Sequence, residues 1–246
     1  MYSGIVLTSA PTVDYLESCI RAEKWNILKV VTGWGLTWNS QTIPQVLAMT
    51  DRTIVRTVAG DGLSEHPYPN WERVLSEVAP FYAYRKSNLF IEIGNEPKTD
   101  DIEGYCWHLE KALTMCRTSF PWAQLISPAL SPVDIPRFSL NTRWQKDIQL
   151  FDYIGVHQYA HYDLRDDDTG HARLADRFIP KIKPWALTEY GTHDTLKTSQ
   201  REKVIQYRQF SHSLPAHYKI ATAYHLCTNP QDEDQEAYAL ELKYLG

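Results

Sequence analysis

No stretch of this chain approaches eighteen consecutive apolar residues, which excludes a membrane-spanning helix. No cluster of Lys and Arg offsets the acidic balance of 25 basic against 30 acidic side chains, a formal net charge of -5. The electrostatic footprint of a phosphate backbone or an anionic membrane is therefore missing, and neither nucleic acid nor membrane is an expected partner. Only four cysteines occur, Cys19, Cys106, Cys116 and Cys227, far apart and without a C-x-x-C pair. A zinc site or disulfide framework is not expected, and these thiols read as small buried hydrophobes. No G-x-G-x-x-G occurs, and the segment after the first apolar run is Thr8-Ser9-Ala10-Pro11-Thr12, which removes support for a dinucleotide cofactor. The N-terminus lacks the basic region and long apolar stretch of a secretory leader. The expected location is the cytoplasm, or outside the cell if a leader has been removed from the sequence.

What is present is an ordinary globular composition, 43% hydrophobic over 246 residues, with no low-complexity tract and no Pro/Gly/Ser linker to divide it. One compact domain over residues 1–246 is expected. Short apolar, β-rich runs alternate with longer helical segments, the mark of βαβ units around a parallel sheet. Eight such runs are countable: Ile5–Thr8, Leu28–Thr32, Thr53–Val58, Leu89–Gly94, Gln124–Ser127, Tyr153–His157, Trp185–Glu189 and Ile220–Tyr224. At about 31 residues per unit they predict a (β/α)8 TIM barrel of the α/β class. Helices are expected over Pro11–Lys24, Asn70–Lys86, Asp101–Phe120 and Ser199–Ser213, with Leu140–Leu150 placed only loosely after Pro132 and Pro136.

Active sites of such barrels lie at the C-terminal ends of the strands. Three ends carry chemistry: Glu92-Ile93-Gly94-Asn95-Glu96-Pro97 after the fourth, Val156-His157-Gln158-Tyr159 after the sixth, and Leu187-Thr188-Glu189-Tyr190-Gly191 after the seventh. Glu96 and Glu189 are 93 residues apart, three repeats of the unit, so they occupy equivalent places in one mouth. Two carboxylates across a cleft are what retaining glycoside hydrolysis needs, one as neutral acid and one as ionised nucleophile. The acid's carboxyl is expected to titrate above its ordinary range, partly through the charge of its neighbour.

Asn95-Glu96-Pro97, Thr188-Glu189-Tyr190-Gly191 and the intervening Phe151-to-Tyr159 segment resemble the corresponding motifs of clan A glycoside hydrolases, retaining β-glycosidases and endoglycanases on (β/α)8 barrels. The resemblance extends over nearly the whole chain. It implies that Glu96 is the general acid/base and Glu189 the nucleophile, with Asn95 on the sugar 2-hydroxyl. It further implies Tyr159 on the nucleophile and His157 in the subsite of the cleaved sugar. Trp34 and Trp38, just beyond the second strand, are candidate stacking platforms, and Tyr190 is a further candidate. Clan members commonly carry a tryptophan after strand eight as the floor under the reacting sugar; here the segment is Ala223-Tyr224-His225-Leu226-Cys227-Thr228, so either His225 or Tyr224 substitutes or the floor comes from elsewhere. The histidine often found after strand three is not obvious, the loop offering Asp61 and His66.

Lys29, Arg56 and Glu92 fall on the second, third and fourth strands, where apolar side chains ordinarily fill the barrel. Glu92 shares the parity of Glu96, and Arg56 on the adjacent strand is its expected partner; Lys29 and Arg56 could instead reach the bottom surface. Clan members often place an arginine near the nucleophile, which leaves a second role open to Arg56. The Asp166-Asp167-Asp168 loop lacks the spacing of a calcium site, and the H-x-H pattern of metal-dependent barrel hydrolases is absent, so no metal or cofactor is expected. Lys29 has no second acid–base lysine beside it for Schiff-base chemistry. The expected partner is an oligo- or polysaccharide. The alternative to a hydrolase is a non-catalytic carbohydrate-binding barrel.

Overall fold

The apolar runs form eight parallel strands: β1 (Tyr2–Leu7), β2 (Ile27–Val31), β3 (Arg52–Arg56), β4 (Leu89–Glu92), β5 (Gln124–Ile126), β6 (Ile154–Ala160), β7 (Trp185–Thr192) and β8 (Tyr218–Ala223). The computed structural model describes residues 1–7, 25–32, 38–59, 67–160, 164, 170–192 and 200–223. The strands are hydrogen-bonded in the order β5-β4-β3-β2-β1-β8-β7-β6, so the first pairs with the last and the sheet curls into the expected (β/α)8 barrel.

Between β5 and β6 the ring closes by individual contacts rather than a ladder. Ile126 bridges Tyr153, and the Ser127 amide donates to the Tyr153 carbonyl at 3.0 Å. The Gly155 amide then donates to Ser127 Oγ at 3.0 Å, a side chain standing in for a strand carbonyl. Only glycine fits there, because a Cβ on residue 155 would lie 2.2 Å from the Ser127 carbonyl oxygen.

Around the strands lie α1 (Thr42–Ala48), α2 (Trp71–Tyr82), α3 (Ile102–Ser119), α4 (Ile135–Ser139), α5 (Thr142–Asp147), α6 (His171–Phe178) and α7 (Gln200–Ser213). Two helix starts are capped by side chains: Asn70 accepts from the Arg73 amide at 3.0 Å and Asp101 from the Gly104 amide at 2.9 Å. The fifth crossover is broken, as Pro132 and Pro136 foreshadow, into two short helices and a 3-10 turn, Ile148–Leu150. The expected helix 11–24 lies outside the described residues, as do Cys19 and Cys227. Cys106 and Cys116 are buried in α3, where burial pushes each thiol up to about 12.

Two apolar layers result. Leu28, Val30, Val55, Ile91 and Leu187 point outward and pack beneath the helices. Ile27, Ile54, Phe90, Ile126, Ala186 and Ile220 meet inside the ring and plug its lower end. Above that plug the interior turns polar.

Candidate active site

The β4 end is shaped by two unusual backbone positions. Gly94 has φ 77, and its amide donates to Thr57 Oγ1 at 3.0 Å. Two residues later Glu96 has φ 40, the only non-glycine positive φ among the described residues. A left-handed conformation costs an L-residue about 1–2 kcal/mol. Here the Glu96 amide is pinned to the Ala129 carbonyl at 2.8 Å, which ties the end of β4 to the loop after β5.

On β7 the device is a bulge. Leu187 and Tyr190 pair with Ala221 and Ala223 of β8, so residues 188 and 189 oppose the single residue Thr222; on the other side His157 of β6 pairs with Glu189 directly after Val156 pairs with Leu187. The bulge turns consecutive side chains, Thr188 and Glu189, into the interior. It also turns Tyr190 outward, where its ring packs against Tyr207 and Phe210 of α7. Tyr190 thus belongs to the helical layer and not to the mouth, contrary to expectation.

Glu189 is held from three sides. Its Oε1 accepts from Lys29 Nζ at 2.9 Å and from Arg56 at 2.8 Å, and its Oε2 accepts from the Tyr159 hydroxyl at 2.6 Å. Burial by itself would push this carboxyl up, but Lys29, His157, Arg56 and the Tyr159 bond together hold it far below the carboxylate range. Glu92 is paired otherwise than expected. Its partner is Lys29, 2.6 Å from Oε2, while Thr188 donates to Oε1 at 2.7 Å and Arg56 is committed to Glu189. Strand adjacency, with Arg56 and Glu92 in register, suggested the other pairing. In a ring of tilted strands, side chains also meet from strands further around. Lys29 and Arg56 are 0% and 2% exposed, so neither reaches the bottom surface.

His157 joins the two carboxylates. Its Nδ1 hydrogen-bonds Glu96 Oε1 at 2.9 Å and its Nε2 lies 3.8 Å from Glu189 Oε2, with the ring wholly buried. It touches the carboxylates rather than lining an open sugar subsite. Glu96 is the more accessible of the pair, with 25% of its side chain exposed against 5% for Glu189. Burial pushes the Glu96 carboxyl up, the hydrogen bond and charge of His157 pull it down, Glu189 pushes it up, and Arg56 pulls it down; the balance falls below the ordinary value. This reverses the expected elevation, because the influence of His157 was not foreseen. Asn95, beside Glu96, is buried, and its Oδ1 has no hydrogen-bond partner among the described residues.

Trp38 donates from Nε1 to the Val31 carbonyl at 2.9 Å and sets its ring edge-on to Phe81 of α2, which makes it a core residue instead of a platform. Trp34, Asp61, His66, Tyr224 and His225 lie outside the described residues, as does most of the 163–170 loop. Among the described residues no group of three or more His, Cys, Asp or Glu side chains is placed to hold a metal ion.

No protein-family model matches this chain, and no curated protein matches it in sequence. Solved structures do match. The catalytic domain of a mannanase from Streptomyces sp. SirexAA-E superposes with a TM-score of 0.61 at 15% identity, over 94% of this chain and 77% of that one. An endo-β-1,4-glucanase from Xanthomonas axonopodis pv. citri gives 0.61 at 12% identity over 99% of both chains. A β-mannanase from Thermomonospora fusca, solved as a mannohexaose complex, gives 0.55 at 12% identity over 96% and 82%. At these identities the similarity establishes a common fold.

Proposed function

We propose that this protein is a retaining β-glycosidase that cleaves an oligo- or polysaccharide by double displacement, with Glu189 as nucleophile and Glu96 as acid/base. The observation that carries the reading is the unequal treatment of two carboxylates set against one imidazole: Glu189 is buried under two cations and kept ionised, while Glu96 stands partly open. That asymmetry divides the labour of the reaction. The solved structures of the same fold include mannanases and endoglucanases, which supports a β-linked polymer as substrate.

In the first half-reaction Glu96 gives its proton to the glycosidic oxygen as Glu189 attacks the anomeric carbon; the glycosidic bond breaks and an ester to Glu189 forms. Oε1 is committed to Lys29 and Arg56, so Oε2, with one hydrogen bond among the described residues, from Tyr159, is the attacking oxygen. In the second, Glu96 takes a proton from water, whose oxygen attacks the same carbon and returns Glu189 as carboxylate. The acid must first carry its proton. A sugar covering the open quarter of Glu96 strengthens burial, already the largest influence on that carboxyl and an upward one. Asn95, its acceptor unused among the described residues, is positioned for a sugar hydroxyl.

The test is hydrolysis of aryl β-glycosides, mannan and β-glucan, with the anomer of the first product read by NMR. Retention of configuration is expected. Inversion would overturn the mechanism, and binding of a saccharide without cleavage of any substrate would establish the carbohydrate-binding alternative instead.

A further inference from the structure

The interior beneath the nucleophile holds more charge than double displacement consumes. Lys29 and Glu92 are both 0% exposed, and neither reaches the mouth. Burying such ions carries a desolvation cost that their pairing must offset, and the plug just below shows that apolar residues serve as filling here. Their arrangement is directed at Glu189. Lys29 Nζ spans Glu92 Oε2 at 2.6 Å and Glu189 Oε1 at 2.9 Å. Glu92 Oε1 is anchored by Thr188, the other residue of the bulge that presents Glu189. Thr188 is fixed in turn, its carbonyl accepting from the Thr222 hydroxyl of β8.

We propose that Lys29 is a positioning residue for the nucleophile, oriented by Glu92 and Thr188, and that it sets the pH at which Glu189 ionises and reserves Oε1 from attack. This deepens the glycosidase reading and rests on it for its catalytic consequence. Arg56 alone would leave Oε1 with one cationic donor; Lys29 supplies the second, from below, so the carboxylate cannot rotate without breaking a buried ion pair. Glu92 restrains the effect by holding the same ammonium more closely than Glu189 does. Among the described residues, the titratable groups facing Glu189 are Lys29 from β2, Arg56 from β3, Glu96 beyond β4, and His157 and Tyr159 from β6, with Glu92 of β4 acting through Lys29.

A purely structural role, Lys29 as counter-ion of Glu92, makes a different prediction from a role in tuning Glu189. Lys29→Met alone strands a buried carboxylate, so the informative variant removes the pair together, Lys29→Met/Glu92→Gln. Two measurements apply: the pH midpoint of the Glu189 carboxyl by carbon-13 NMR, assigned by its loss in Glu189→Gln, and the acid limb of kcat/KM on an aryl β-glycoside. In the folded double variant both midpoints rise by about one pH unit or more, the effect of losing an adjacent opposite charge. Glu92→Gln, which keeps Lys29 and frees it from its competitor, leaves the midpoint at or below that of the parent. A folded double variant with parental midpoints would overturn the proposal, as would an upward shift in Glu92→Gln like that expected of the double variant. The NMR titration needs no turnover, so absence of hydrolysis on every substrate would sink the glycosidase reading while leaving this one decided.

Discussion

Replacing Tyr159 with Phe deletes one oxygen and leaves the ring, which is 8% exposed, in place. Among the described residues it removes the 2.6 Å hydrogen bond to Glu189 Oε2, the oxygen assigned to attack. Hydrogen bonds to charged groups contribute about 1.5–3 kcal/mol, and at about 1.4 kcal/mol per factor of ten this predicts a fall in kcat/KM of roughly ten- to a hundred-fold. Ionisation should survive, because Lys29 and Arg56 still hold Oε1. The loss therefore comes from a misaimed nucleophile, and the acid limb should move much less than in Lys29→Met/Glu92→Gln. The assay is kcat/KM on the best aryl β-glycoside across pH, beside a thermal melt. A melting point lower by a few degrees is compatible with one under-satisfied carboxylate oxygen at about 2–4 °C per kcal/mol. Parental kcat/KM in the folded variant would refute the role of Tyr159 and with it the choice of Oε2.

The two glutamates should fail differently. Glu189→Gly should lose nearly all hydrolysis and, given azide, yield a glycosyl azide of inverted configuration; Glu96→Ala should accumulate glycosyl-enzyme from a good leaving group and be relieved by azide with retention. Like behaviour in both variants, scored by product NMR, would mean the roles are misassigned. His157→Gln removes a hydrogen bond and a charge that lower the Glu96 carboxyl, so the group titrates higher; since the first step needs it protonated, the basic limb of kcat/KM should move to higher pH, and a move to lower pH would contradict the geometry. Gly155→Ala should cost about 1–3 kcal/mol, a drop in melting point of several degrees, because its Cβ has nowhere to go beside Ser127. An unchanged melt would show that the strand boundary there is looser than described.

Most of the barrel was legible because it rests on local signals: apolar runs of strand length, the helices expected from Asn70 and Asp101, and the prolines that break the fifth crossover. The meeting of Glu96 and Glu189 at one mouth was legible too, since they follow strand ends and recur at a whole number of repeats. What escaped was long-range geometry. Simple alternation gave Glu92 its inward face correctly, but could not foresee a bulge that sends both Thr188 and Glu189 inward and expels Tyr190. Adjacency paired Arg56 with Glu92, whereas the interior matches two cations to two carboxylates across non-neighbouring strands. Lys29 carried a signal all along: a lysine in mid-strand, inside a barrel, needs a carboxylate within reach. His157 carried none that would separate a sugar contact from a bond to the acid.

The incomplete ladder between β5 and β6 makes the barrel mechanically a split ring. Glu96 stands on one lip of the slot, on the segment pinned to Ala129, and His157 and Glu189 stand on the other. The His157–Glu96 hydrogen bond is the clasp across the gap, seated above the Ser127–Gly155 contact. Spreading the slot lengthens the span between the Glu96 and Glu189 carboxylates, and narrowing it does the reverse. The spacing of the two carboxylates is therefore set at the joint of the cylinder where a few backbone bonds and two side-chain contacts stand in for a continuous ladder.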